Sequence, residues 1–274
     1  MTSFQRTFRL AALAALLASG ALAAQETAAS EPESLPKPTN RLGTRFINAP
    51  TPFTVGSRHR FELLFTHRFL QPVQDGDEHN LWGLDSGADI GIGVTYGATD
   101  HFDLAVYRSS FQENYELSAK YLIAEQSPHV PLSVGVRLGA DLLLQENVED
   151  ADRPFAQLLL AREFAPGVSL VLSPSWVHDT PRLRDAFNVP VGVTFSIKHS
   201  LFELEWIPAN QDLDESKDAW HVAISRQIGG HIFEVLVGNS RATTVDQYLG
   251  GDFAGGFESG DVRLGFNLFR YLPE

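Results

Sequence analysis

Residues 88–97 read ADIGIGVTYG. Ala88, Ile90, Ile92, Val94 and Tyr96 alternate with Asp89, Gly91, Gly93 and Thr95, a period of two that belongs to a strand and not to a helix. One face is apolar and ends in an aromatic ring; the other is small, polar and carries a carboxylate. A half-buried strand of a soluble protein lays the first face on a core and leaves the second in water. A strand of a membrane barrel reverses the solvents, with hydrocarbon outside and a polar lumen within. The segment alone fits both, so its surroundings must decide.

Working outward, period-two segments recur near residues 58–69, 85–96, 101–109, 114–125, 131–143, 155–164, 168–177, 188–198, 201–207, 218–228, 231–239 and 260–270. That is twelve, an even number, and most are about ten residues long, the length a tilted transmembrane strand needs. The links between them sort by length. GATD, SPHV, APG, KHS and GG are short, turn-like and join strands 2–3, 4–5, 6–7, 8–9 and 10–11. QPVQDGDEHNLWG, QENVEDADRP, HDTPRLRDAFN, PANQDLDESKD and SRATTVDQYLGGDFAGGFES are long, polar and fall between the others; only the 3–4 link breaks the rule by being short. Short turns on one side and long loops on the other are the habit of a membrane barrel. The pattern predicts an all-β fold, a single up-and-down antiparallel transmembrane β-barrel of about twelve strands, occupying residues 51–274.

The same topology sorts the aromatics. Trp176, Trp206 and Trp220 fall at the long-loop ends of their strands, and Tyr96, Phe102 and Tyr121 near the short-turn ends. Two girdles result, as at the two interfaces of a bilayer. Parity then places ionisable groups in the lumen. The acids are Glu62, Asp89, Asp103, Glu116, Asp141, Glu163, Glu203, Glu205, Glu234 and Asp261; the bases are Arg60, Lys120, Arg137, Lys198 and Arg263, with His221 able to titrate. An isolated charge in a low-dielectric interior costs several kcal/mol or more. Either the bases pair with neighbouring carboxylates and close the lumen, or water fills it and the acid excess favours cations. Twelve strands lie between filled eight-stranded and open sixteen-stranded barrels, so width leaves both open.

The chain begins with Arg6 and Arg9, no acid, a short apolar run AALAALLASG and the small residues ALAAQ. This pattern predicts a secretory signal peptide over 1–24. Its removal takes two positive charges from a formal net charge of −13, leaving −15. A chain so acidic lacks the basic patches that nucleic acid binding needs. Residues 25–50 start as a Pro-, Glu-, Ser- and Thr-rich stretch and read as a flexible periplasmic segment. There is no cysteine, hence no disulfide and no thiolate metal site.

No catalytic, cofactor or metal site emerges from the motifs. His221 and Ser225 share a strand face but stand about 13 Å apart, and no G-x-S-x-G elbow is present. The acidic loops at 75–80, 147–152 and 210–218 offer oxygen ligands without matching a calcium loop. GIGVTYG lies inside a strand and not between a strand and a helix, so its glycines relieve crowding in the lumen and do not cradle a nucleotide.

The stretches HRF (67–69), WGLDSGADIGIGVTYG (82–97), YRSS (107–110), ELSAKYLIAEQ (116–126), GGHIFEVLVGNS (229–240) and LGFNLFR (264–270) resemble a bacterial β-barrel family, domain of unknown function 5777, over about Asn48 to Tyr271. The two C-terminal stretches carry the resemblance most specifically. It implies an outer-membrane-type barrel and supplies no activity. The ending LPE departs from the terminal aromatic usual in such barrels. The function expected is a narrow, cation-leaning pore or passive channel in the outer membrane, in contact with lipid and lipopolysaccharide and passing small solutes or ions. The alternative is an electrically closed barrel that docks a periplasmic or surface partner through its tail or long loops.

Overall fold

The computed structural model describes residues 42–56, 59–144, 152–181, 184–209, 217–251, 254 and 261–272. The expected signal peptide, the segment 25–41 and most of the acidic stretches at 147–152 and 210–218 lie outside the described residues.

The described residues form strands β1 (Phe61–Phe69), β2 (Ala88–Thr99), β3 (Phe102–Ser109), β4 (Asn114–Ala124), β5 (Ser133–Leu143), β6 (Asp152–Ala165), β7 (Val168–Leu172), β8 (Ser175–Val177), β9 (Ala186–Asn188), β10 (Val191–Ile197), β11 (Ser200–Ile207), β12 (Ala219–Ile228), β13 (His231–Gly238) and β14 (Arg263–Leu272), and among them lies a short α-helix, α1 (Val245–Gly250). Neighbours in sequence pair antiparallel except at β7–β8 and β9–β10, where β6 takes β8 and β7 takes β10; β1 pairs with β14 and β5 with β6, which closes the ring. The result is a closed twelve-stranded barrel with two extra strands, β8 and β9.

Two prolines explain the extra pair. Pro174 and Pro190 have no N–H to give to the ladder, so each splits one expected strand in two. Register survives the break: Leu160 faces Leu172 before it and Gln157 faces Ser175 after it. The proline carbonyls still accept, from Leu158 N at 2.8 Å and Ser173 N at 3.0 Å.

The opening question has a plain answer. On β2, Asp89 is 6 % exposed while Ile92 is 60 % exposed. The same parity leaves Leu104, Val106, Leu117, Leu138, Leu158, Leu204, Val222 and Val235 uncovered on the outside of the ring. A soluble surface does not carry an apolar belt of this extent; hydrocarbon covers it. No helix among the described residues is long and apolar enough to cross a membrane, so the crossing is made by strands.

One end of the barrel carries the turns at 100–101, 125–132, 166–167, 198–199 and 229–230, together with the start of β1 and the end of β14. The opposite end carries the ends of β1, β3, β5, β8, β11 and β13, with the links 70–87 and 110–113.

Candidate functional site

The lumen is filled by the chain itself, from both ends. Residues 42–56 enter at the short-turn end as a hairpin. Phe46 N donates to Ala49 O at 2.8 Å, Thr51 N donates to Thr44 O at 3.1 Å, and Arg45 bridges Pro50. Both legs return to the same mouth: Thr44 Oγ1 donates to Glu62 near the start of β1, and Val55 N donates to Asp103 Oδ2 near the start of β3. Residues 42–50, expected to end a flexible segment, are thus ordered against the wall. A short polar stretch has too little apolar surface to fold alone, and the lumen supplies the partners it lacks.

The hairpin tip is the driest part. Phe46 and Ile47 pack with Ala161, Val171, Ala223 and Leu236, which come from β6, β7, β12 and β13. Gly192 on β10 makes room, since a Cβ there would lie 2.7 Å from the Phe46 ring. Beside the apolar tip, Asn48 reads the charged wall. Glu205 accepts from Asn48 N (2.9 Å), Asn48 Nδ2 (2.9 Å) and Ala49 N (2.8 Å), and lies 3.2 Å from His221. Arg68 donates to Asn48 Oδ1 at 3.0 Å and to Asn267 Oδ1 at 2.8 Å.

From the long-loop end, the link between β13 and β14 folds inward, and every residue from Ala242 to Gly250 is buried. Val245, Tyr248 and Leu249 pack with Phe155, Val177, Ile207 and Ala219. Polar bonds hold the start of α1. Asp246 pairs with Arg153 at 2.5 Å and accepts from Asn114 at 2.9 Å, while Asp246 N donates to Asp141 and Val245 N to Glu116. Tyr248 Oη meets Gln157 at 2.9 Å.

The predicted lumen residues distribute as follows. Glu62, Asp89, Glu116, Lys120, Arg137, Asp141, Glu203 and Glu205 are buried. Arg60, Asp261 and Arg263 are only half-buried at the strand ends. Arg60 lies over the Tyr271 ring, and Arg263 donates to Leu70 O at 3.1 Å. Of the bases expected to pair with carboxylates, Arg137 does so, with Glu116. Lys120 instead gives its ammonium to the hairpin carbonyls of Thr44 and Phe53. Backbone inserted into the lumen, more than wall-to-wall ion pairing, closes it.

Sequence parity missed Arg68, which its own rule would have placed inside, and Arg153, which falls in the expected link QENVEDADRP whereas β6 begins at Asp152. It had no signal for Arg45 and Asp246, because neither lies on a strand. A cavity of about 60 Å³ remains between hairpin and wall, bordered by Arg45, Glu62, Asp103, Glu116, Lys120 and Arg137. At the short-turn mouth a larger recess of about 440 Å³ is lined by Lys198, His199, Ser225 and Gln227. Among the described residues one group could offer a metal three ligands, His178, Asp179 and Asp185, on an exposed loop.

The girdle residues all lie on the outward face. Trp206 stands directly opposite Trp220, and its Nε1 donates to Asp218 at 3.0 Å. Trp176 faces Phe187. At the other end Tyr96 Oη lies 2.6 Å from His59 Nδ1, and Phe102 pairs with Tyr121.

An apolar belt outside, a charged lumen inside and loops sorted by end define an outer-membrane-type β-barrel. The chain belongs to the membrane-bound β-barrel domain family DUF5777, which matches residues 42–272. Among solved structures it is similar to outer membrane phospholipase A from Escherichia coli (9 % identity, 77 % of this chain and 90 % of that one, TM-score 0.44). It is also similar to Omp33 of Acinetobacter baumannii (8 %, 79 % and 100 %, 0.44) and to OccD1 (14 %, 78 % and 65 %, 0.34). Likeness at this level transfers no activity. No curated protein matches the chain.

Proposed function

We propose that this protein is an outer-membrane barrel that is closed at rest and opens, when its plug is displaced, as a narrow cation-preferring conduit. The short-turn end with both termini faces the periplasm and the long loops face outward, as in other membrane barrels. The observation that carries the reading is the charge on the wall behind the plug. Among the described residues, the buried wall acids are Glu62, Asp89, Asp103, Glu116, Asp141, Glu203, Glu205 and Glu234, against Arg68, Lys120, Arg137 and Arg153. A barrel that only had to be filled would gain as much from apolar side chains, since replacing buried ion pairs by hydrophobic groups is often neutral or stabilising. Ionisable groups inside a membrane mark pathways, and twice as many acids as bases favours cations once water enters.

The second reading, a permanently closed barrel that docks a partner, is supported by the filling of the lumen from both sides. Planar-bilayer recording separates the two. The intact chain should be silent, and a chain lacking residues 42–56 should give steps whose reversal potential favours cations. Glu203→Gln with Glu234→Gln should move that potential toward zero. Silence from the correctly folded deletion would overturn the conduit reading in favour of docking, and anion-selective steps would overturn its cation preference.

A further inference from the structure

The hairpin enters from one side of the membrane and the α1 loop from the other, yet they touch at two separate places. Arg45 Nη2 donates to Thr243 O at 3.2 Å, with its guanidinium over the Tyr107 ring. The second contact passes through one buried wall side chain. His221 lies 3.2 Å from Asn48 of the hairpin, 3.2 Å from Glu205 of the wall and 3.2 Å from Ser240 O of the loop. Glu116 links the same parties: it accepts Val245 N at the start of α1, pairs with Arg137, and borders the small cavity shared with Arg45.

We infer that the hairpin and the inward loop are two halves of one interlocked plug, so that displacing the loop at the outer face loosens the hairpin at the periplasmic face. The physical ground is shared partners. Withdrawal of the loop takes the Thr243 carbonyl from the half-buried Arg45 guanidinium and the Ser240 carbonyl from the buried His221 ring, which then has only Glu205 and Asn48 beside it, and a lost bond to a charged group costs more than an ordinary one. The hairpin then loses its direct bond at Arg45, and its tip rests on a wall histidine that has lost its loop partner. Linkage makes the effect reciprocal: loosening the hairpin must loosen α1 by the same factor. The device couples an event outside the cell to the segment nearest the periplasmic tail. It rests on the hairpin acting as the plug, but not on whether the opened barrel conducts.

The absence of native cysteine gives a clean test. Ile47→Cys reports on the hairpin tip and Leu249→Cys on α1; both positions are fully buried. Each is placed in the full chain in liposomes and labelled with a membrane-impermeant maleimide. Asp246→Lys sets two positive charges, the new one and Arg153, against each other in a closed site and expels α1, which the Leu249→Cys reporter verifies. Asp246 touches no hairpin residue among its hydrogen bonds, so independent plugs would leave the Ile47→Cys rate unchanged. Coupling should raise it about tenfold, within the range usual for linked sites. In the converse arm, Lys120→Met removes an anchor that binds hairpin carbonyls only and should speed labelling at Leu249→Cys. If each perturbation frees only its own half, the inference fails, whatever the conductance shows. If both reporters respond to both changes, it stands even in a barrel that never conducts.

Discussion

At the scale of single residues, the lumen is decided by contacts that alternate charge with close approach. Gly91 shows the second kind. A Cβ there would fall 1.8 Å from Tyr107 Oη and 2.4 Å from Thr66 Oγ1, and those two oxygens are hydrogen-bonded at 2.7 Å. The Tyr107 ring therefore lies flat across β2 because Gly91 has no side chain. Gly91→Ala must push the ring off, losing that bond and straining the wall by about 1–3 kcal/mol, seen as a lower melting temperature. Tyr107→Leu in the same chain should restore most of the loss; a loss that persists would place the cause elsewhere. The glycines of the opening decapeptide were legible as relief of crowding. The crowding group was not, because Tyr107 sits on the next strand and only the register brings them together.

At the scale of elements, strands and plug differ in how far sequence reaches. Alternation wrote the strands. Val189, Val191, Val193 and Phe195 alternate along one oily face, and the break at Pro190 changes the ladder but not the register. The hairpin had no comparable signal. Thr44 to Thr51 holds no period-two run and no hydrophobic stripe, and its structure is written in the partners it finds on the wall. Glu205 is the densest of these, accepting three hydrogen bonds from Asn48 and Ala49. Glu205→Ala leaves those donors buried without that acceptor and takes the carboxylate from the His221 ring, which keeps Ser240 O, a cost of about 3–5 kcal/mol that falls on the hairpin and spares the strand ladder. Limited proteolysis of the folded variant should cut within residues 42–56 while the barrel stays intact. Resistance equal to that of the parent would show that the tip, Phe46 and Ile47, holds the hairpin without the charge network. α1 was invisible for the same reason: VDQYLG is too short for a helical period, and its loop reads as solvent-exposed until Asp246 meets Arg153.

At the scale of the whole molecule, two boundaries meet in one wall, hydrocarbon on the outside and the protein's own backbone on the inside. The family match and the apolar belt establish the first. The second fills a barrel of intermediate width, and the charge on its wall supports the proposal that the filling can be displaced to open a conduit. Hydrogen–deuterium exchange of the intact chain in lipid tests this most directly. The amides of Phe46 and Thr51, bonded across the hairpin inside the lumen, should exchange on the timescale of the strands, slower by orders of magnitude than an exposed segment. Exchange of both within seconds, while the strands remain protected, would mean that the hairpin lies outside the barrel and that the lumen is open at rest.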